Sequence, residues 1–315
     1  GPTEAFTEKE KWVLDQYTMQ GGHSAWFIES TQMLEQPNSE PMVIPLDLNL
    51  TDMFFKYGLR IPSKLVQDIN AAPIRLAYGS GANTSYQTYP WVFSPLATTS
   101  SHPISAGIAA PKLHYANPID TLSNKVRKKV ILKTSEFART LPTPLQINTN
   151  TQIDAVLNIM ENGPNPQIFK EKYTPLAVLL EGKMPSMYQN RIAPVTTHNQ
   201  KYNRITSLPA KMLVVGDADM VKNQFQDGKP LPLGFDKWTQ TQFGNNDFLL
   251  NAFNYLLEDN TLINIRTKPI ELAFLNPNIK VQERLLWQFI NTLAIIPLLL
   301  ILALLNAYWR KRKYR

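Results

Sequence analysis

The sequence predicts an α/β domain, with a parallel or mixed sheet flanked by helices and long proline-rich insertions, followed by one C-terminal transmembrane helix. Three observations carry this reading. Short, continuous apolar runs recur along the body, the pattern of strands covered on both faces. Near the start, a capped helix, a Gly-Gly pair and a strand-like segment follow one another, a common unit of α/β sheets. Near the end, Leu285 to Trp309 reads LLWQFINTLAIIPLLLILALLNAYW, 25 residues without a charge.

The first helix is announced by Thr7-Glu8-Lys9-Glu10, a capping box. Trp12, Val13 and Tyr17 are expected on its apolar face, with Leu14 beside them, and Gly21-Gly22 stops it. Ser24 to Glu29, SAWFIE, then reads as a buried strand. Further strands are expected at Ile74 to Ala77, Val130 to Lys133, Leu176 to Leu180 and Met212 to Val215. Helices are expected at Pro62 to Ile69, at Ile153 to Met160 and at Asp247 to Leu257, the last capped by Asn245 or Asn246 and largely buried. Proline makes up 24 of the 315 residues, above the usual share of roughly 5%. Much of it falls in 80–120 and 140–175. Tyr86, Tyr89, Trp91, Phe93 and Tyr115 interleave the first of these stretches, so they read as packed insertions rather than flexible linkers.

As a helix, the uncharged run would reach roughly 37 Å, enough for a bilayer core. Trp287 stands near one end, Trp309 near the other, and Pro297 lies mid-span where a membrane helix tolerates it. Arg310, Lys311, Arg312, Lys313 and Arg315 follow at once. The positive-inside rule therefore places the tail, 310–315, in the cytoplasm. Residues 1–280 become an extracytoplasmic domain, anchored to the lipid bilayer of the inner membrane through 285–309 and facing the periplasm.

The net charge of +7 does not imply a nucleic-acid partner, because five of the 32 basic residues sit in that tail and the rest nearly balance the 25 acidic ones. There is no cysteine, which removes disulfides, thiolate metal sites and thiol nucleophiles. No Walker A loop, GxGxxG, GxSxG or HExxH occurs, and no metal or cofactor is expected.

The segment that asks for chemistry is KMLVVGDADMVKNQF, Lys211 to Phe225. Carboxylates just beyond a strand are where α/β enzymes often hold a metal or a nucleophile. Asp217 and Asp219, with Asp227 and Asp236 further on, could supply oxygen ligands. A turn-forming or capping role is the favoured reading. Gly216 and Asp217 then shape the turn, and Asp219 and Asn223 tether the loop leading to PLGFDKW, which contains Asp236 and Trp238. The histidines, His23, His102, His114 and His198, have no ligand spacing and read as packing residues.

Taken in order, EKEKWVLDQYTMQGG, LNLTDMFFKYGLRI, LAVLLEGKMPSMYQNR, KMLVVGDADMVKNQF, PLGFDKW, FGNNDFLLNAFNYLLEDNTLINIRTK and the final apolar run with RKRKY resemble GldG, the gliding-motility-associated ABC transporter auxiliary protein of the Bacteroidetes. The resemblance implies an exported domain between two spans, of which this chain would be the C-terminal part, accompanying a permease and an ATPase subunit. It also implies an amidotransferase-like or flavodoxin-like fold, which the helix–Gly-Gly–strand unit and SHPISAG, Ser101 to Gly107, fit. The amidotransferase cysteine is missing, so no catalytic residue is carried over. The function expected on this basis is that of a non-catalytic, membrane-anchored accessory subunit for gliding motility and its associated protein secretion. The number of copies is left open. Two alternatives stand beside it: an exported amidotransferase-like or metal-dependent hydrolase, and an envelope glycan- or peptide-binding domain using Tyr86 to Phe93.

Overall fold

A computed structural model describes residues 1–35, 39–79, 81–195, 204–258, 288, 290 and 295–313. The chain divides into two compact units, Gly1–Lys268 and Pro269–Arg315.

In the first unit, Ala210–Val215, Pro175–Gly182 and Arg127–Lys133 are the inner strands of a five-stranded sheet. The order is Ser24–Phe27, Ala210–Val215, Pro175–Gly182, Arg127–Lys133, Thr98–Thr99. Ser24–Phe27 runs parallel to Ala210–Val215. The other three pairings are antiparallel. The sheet is therefore mixed, and it lacks the all-parallel pairing of a flavodoxin-like fold. The apolar runs report double coverage rather than strand direction: Leu176 to Leu180 and Leu213 to Val215 are fully buried although most of their ladder is antiparallel.

Alternation divides these side chains between two cores. On one face Val178, Leu180, Met212 and Val214 meet Trp12 and Met19 of helix α1 (Glu8–Met19) and Met53, Phe54 and Tyr57 of helix α2 (Thr51–Tyr57). On the other, Ala177, Leu179, Leu213 and Val215 meet Phe248, Ala252 and Leu256, which belong to the helix Asn245–Leu256.

Helix α1 begins as the capping box requires, with Thr7 Oγ1 accepting from the Glu10 N–H at 3.3 Å and Glu10 Oε2 accepting from the Thr7 N–H at 2.8 Å. Its buried face is only partly the apolar one: Trp12 and Met19 are inside, but charged residues lie beside them. Lys11 and Asp15 are fully buried, while Val13 and Tyr17 are more than half exposed. The reason is partner supply. Lys11 Nζ reaches Glu8 at 2.8 Å and Asp52 at 2.9 Å. Asp15 accepts from Tyr57 Oη, Ser186 Oγ and the Met187 N–H at 2.6–2.9 Å. A buried charge with a full set of partners is tolerated where an unpaired one is not.

The helix expected at Pro62 to Ile69 is instead the strand Lys64–Asp68, paired with Ala138–Pro142. Tertiary pairing overrides the local pattern there. The helix of this region, α2, lies earlier and ends at Gly58, whose φ of +96° suits only glycine. The first proline-rich stretch holds the long strand Ser85–Pro95, paired with Ala71–Tyr78. Trp91 and Phe93 are buried with Leu65, Val43 and Val156 of helix α3 (Thr149–Asn162) in a third core, whereas Tyr86 is exposed. The helix Asn245–Leu256, α4, takes the place of the one expected at Asp247 to Leu257. It is capped by Gly244, and Leu250 and Phe253 stay more than two-fifths exposed, so it is less buried than its composition implies.

In the second unit, the helix Ile295–Lys313 has 19 residues and closes on Arg310, Lys311, Arg312 and Lys313. Its apolar part, 295–309, rises roughly 22 Å, short of the roughly 30 Å of a bilayer core. Among the described residues no helix is long and apolar enough to cross a membrane. This corrects the expected transmembrane helix and, with it, the inner-membrane anchoring and the periplasmic placement that rested on it. Pro297 and Trp309 are ordinary members of this helix. Trp287 and most of 285–294 lie outside the described residues.

Leu213 packs from the inner strand Ala210–Val215 into the core under α4. Leu213→Ala should therefore destabilise the first unit by about 2–5 kcal/mol, read as a lowered urea midpoint at unchanged slope.

Candidate functional site

The site is built where the inner strand Ala210–Val215 ends. Gly216 follows Val215 and donates its N–H to the Leu176 carbonyl at 3.0 Å, while its own carbonyl accepts from the Asn117 N–H at 2.7 Å. The two backbones are so close that a Cβ on Gly216 would stand 2.2 Å from the Asn117 oxygen. Only glycine allows this crossing. Asn117, fully buried, then ties three more places together. It donates to Thr31 Oγ1 and the Lys64 carbonyl and accepts from the Ser30 N–H, all within 2.9 Å.

Asp217 is also fully buried. Its carboxylate accepts from the N–H groups of His114 at 2.7 Å, Asp219 at 2.7 Å and Met220 at 3.2 Å. The last two open the 3₁₀ turn Asp219–Val221. Burial pushes the Asp217 carboxyl up to about 8 against the pull of the His114 N–H, and the charges of Glu29 and Asp219 add to the rise.

Beyond this turn the chain makes two small hairpins before α4. Phe225–Gln226 pairs with Lys229–Pro230 across Asp227-Gly228, both at positive φ as a type I′ turn demands. Phe235–Asp236 pairs with Thr241–Gln242. Asn223 Nδ2 donates to the Leu231 carbonyl at 2.7 Å, and Gln224 Oε1 accepts from the Lys237 N–H at 2.9 Å. Asn245, at the start of α4, docks the whole excursion: it bonds both backbone groups of Lys112 and the Met220 carbonyl at 2.8–3.0 Å.

Between these parts lies a cleft of about 380 Å³, lined by Lys112, His114, Asp219, Asn223, Asp236 and Trp238 among others. Four of the six residues singled out in the sequence thus meet in one place, and Gly216 and Asp217 hold the exit from which the cleft is built. Asp236 is bound by Lys112 Nζ at 2.5 Å and by the N–H groups of Trp238 and Thr239 at 2.9 and 3.1 Å. Burial opposes its ionisation, but Lys112 outweighs it and holds the carboxyl below the usual range. Burial, reinforced by the Lys112 charge, lowers the His114 imidazole to about 4, so the ring is neutral and shares Nδ1 with Ser94 Oγ at 2.8 Å. At the mouth, Phe225 and Trp238 are 57% and 62% exposed, with Lys237 Nζ 5.1 Å above the Trp238 ring.

Asp217, Asp236 and His114 are engaged by backbone, lysine and serine. Among the described residues no group of three His, Asp or Glu side chains is placed to hold a metal. Lys112 is the residue that sequence reasoning missed, His114 was read as packing, and Asn245, expected to cap α4, instead lies inside it and docks the excursion. Lys112 lies 124 residues from Asp236, and no local pattern links them. The Asp227-Gly228 pair, by contrast, was a readable hairpin signal. Ser105 of the SHPISAG stretch is buried and bonds the Ile131 carbonyl and Ser100, apart from the cleft residues.

Gly216→Ala should lower stability by more than about 2 kcal/mol, because backbone must move, whereas Gly228→Ala, with open space around it, should lose only about 1 kcal/mol through its positive φ. Equilibrium denaturation compares the two. Asp217 has a raised pKa, so its contribution is fully present below about pH 4 and falls as pH climbs towards about 8. Asp217→Asn lacks that dependence. The Tm of the variant minus that of the wild type should become less negative from pH 4 to pH 8, and a flat difference would contradict the assignment.

No curated protein matches the chain. A family model described as an ABC-type uncharacterized transport system matches residues 1–252, which takes in the strand exit, the cleft and most of α4. By that match over four-fifths of its length, the chain belongs to the family of auxiliary components of an uncharacterized ABC-type transport system.

Proposed function

We propose that the chain is a non-catalytic subunit that works by touching other proteins of its transport system, with permease or ATPase subunits as its partners. The observation that carries this is the division of labour in the cleft. Its buried ionisable groups are committed to holding the fold, while the exposed groups at the mouth are the rings of Phe225 and Trp238, the Lys237 ammonium and the Lys222–Asp219 pair. A general base or nucleophile needs a free lone pair facing substrate. An interaction site needs exposed aromatic anchors on a rigid frame, with their surroundings already satisfied. The resemblance to GldG favours gliding motility and its associated protein secretion as the setting.

The glycan- or peptide-binding alternative based on Tyr86 to Phe93 loses Trp91 and Phe93, which are buried in the third core, and keeps only Tyr86 as an exposed ring and Tyr89 as a half-buried one.

The test is affinity purification of the tagged full-length chain from cells that also produce the permease and ATPase subunits. Both should co-elute with the wild type, and the double variant Phe225→Ala, Trp238→Ala should lose most of them. A wild-type chain that always elutes alone would overturn the proposal.

A further inference from the structure

The cleft at the strand exit has the volume of a small-ligand or side-chain pocket. Its floor is closed chemistry. Asp236 already receives three donors, and Lys112 is neutralised by it. The groups left over are mostly donors. Gln224 gives its oxygen to the Lys237 N–H and keeps its NH₂ free. The Lys237 ammonium makes one hydrogen bond, to the Phe225 carbonyl at 3.0 Å, which leaves two N–H. Lys222 is 74% exposed and touches only Asp219, at 3.5 Å. Pairing Lys112 with Asp236 and Lys222 with Asp219 leaves Lys237 as the uncompensated charge of the cleft. That charge stands over the exposed face of Trp238, beside Phe225.

We propose that the cleft binds a carboxylate carried next to an aromatic or aliphatic side chain on a partner polypeptide. The apolar side chain rests on Trp238 and Phe225, and the carboxylate accepts from Lys237 and the free Gln224 amide. Charge-assisted bonds of this kind are stronger than neutral ones, and a desolvating aromatic wall strengthens them further. A neutral sugar fits less well. Its hydroxyls carry no charge to match the Lys237 ammonium, and so forgo the charge-assisted bond that a carboxylate makes there. The carboxylate is either an acidic side chain or a chain terminus. This proposal deepens the accessory-subunit reading and rests on it.

The test uses the full-length chain and calorimetric titration with three short acetylated peptides that share a Leu-Phe core: one with a free C-terminal carboxylate, one amidated, and one amidated with an internal Glu before the core. At least one carboxylated peptide should bind about tenfold more tightly than the neutral amide, and which of them does so identifies the source. Trp238→Ala should weaken that binding about thirtyfold and Lys237→Gln about fivefold, with circular dichroism unchanged because both side chains are at the mouth. Equal binding of all three peptides, no binding of any, or variants that bind as the wild type does would overturn the proposal. The co-purification experiment is scored separately. Partners that stay bound to the wild-type chain while the carboxylated peptides fail would sink the carboxylate site and leave the accessory role standing.

Discussion

The crossing of two backbones at Gly216 and Asn117 is the constraint on which the rest of the first unit depends. The inner strand Ala210–Val215 is buried on both faces, so it has no solvent-facing route by which to leave the sheet. It leaves under the 113–119 segment, at a distance only glycine permits. Asn117 fixes that segment to Ser30, Thr31 and Lys64, and Asp217 fixes it again through the His114 N–H. Parts of the chain far apart in sequence are thereby held at one sheet end, where a rigid frame for a site becomes available.

Burial of polar groups in this unit follows one rule in two places. In α1, Lys11 and Asp15 go inside because α2 and the 184–188 segment supply acceptors and donors for each. At the strand exit, Asp217 goes inside because three backbone N–H groups converge on it. Neither arrangement gains much over a well-packed apolar core of the same volume. What each fixes is geometry: α1 against α2 in the first case, the 3₁₀ turn against the 113–119 segment in the second. Such groups can be strongly perturbed while their lone pairs are taken up by the fold, so perturbation alone does not mark them as reacting groups.

Legibility in the sequence tracked locality. The capping box at Thr7, the strands around Leu179 and Val214 and the α3 and α4 helices were readable, since each is set by a few neighbouring residues. The strand Lys64–Asp68 was not, because only its partner Ala138–Pro142, some seventy residues later, makes it a strand. The same distinction holds in the site. Gly216, Asp217 and Asp236 drew attention as a glycine and carboxylates beyond a strand. The Lys112 ammonium, which closes the cleft, comes from a segment with no local signature, and the Asn245 amide, though at a readable helix start, bonds Lys112 and Met220 that no local pattern links to it. The face of α1 misled for a different reason: periodicity of apolar residues assumes that polar ones stay outside, and Lys11 and Asp15 break that assumption because partners await them.

The terminal helix shows how an uninterrupted apolar string can overstate what a structure does with it. Counting uncharged residues from Leu285 to Trp309 treats the string as one rod, and a bilayer span follows from its length alone. The described helix starts at Ile295, so its uncharged part, 295–309, takes in 15 of those 25 residues before the charged last turn of Arg310 to Lys313. With that helix too short to cross, the functional weight shifts to the first unit. There Phe225 and Trp238 stand exposed on two hairpins tied to each other by the Gln224–Lys237 bond, above a floor in which Asp236 already has its donors. A surface prepared in that way loses little conformational freedom when a partner arrives, and it is the preorganisation, more than the area, that gives such a small cleft a basis for selective contact.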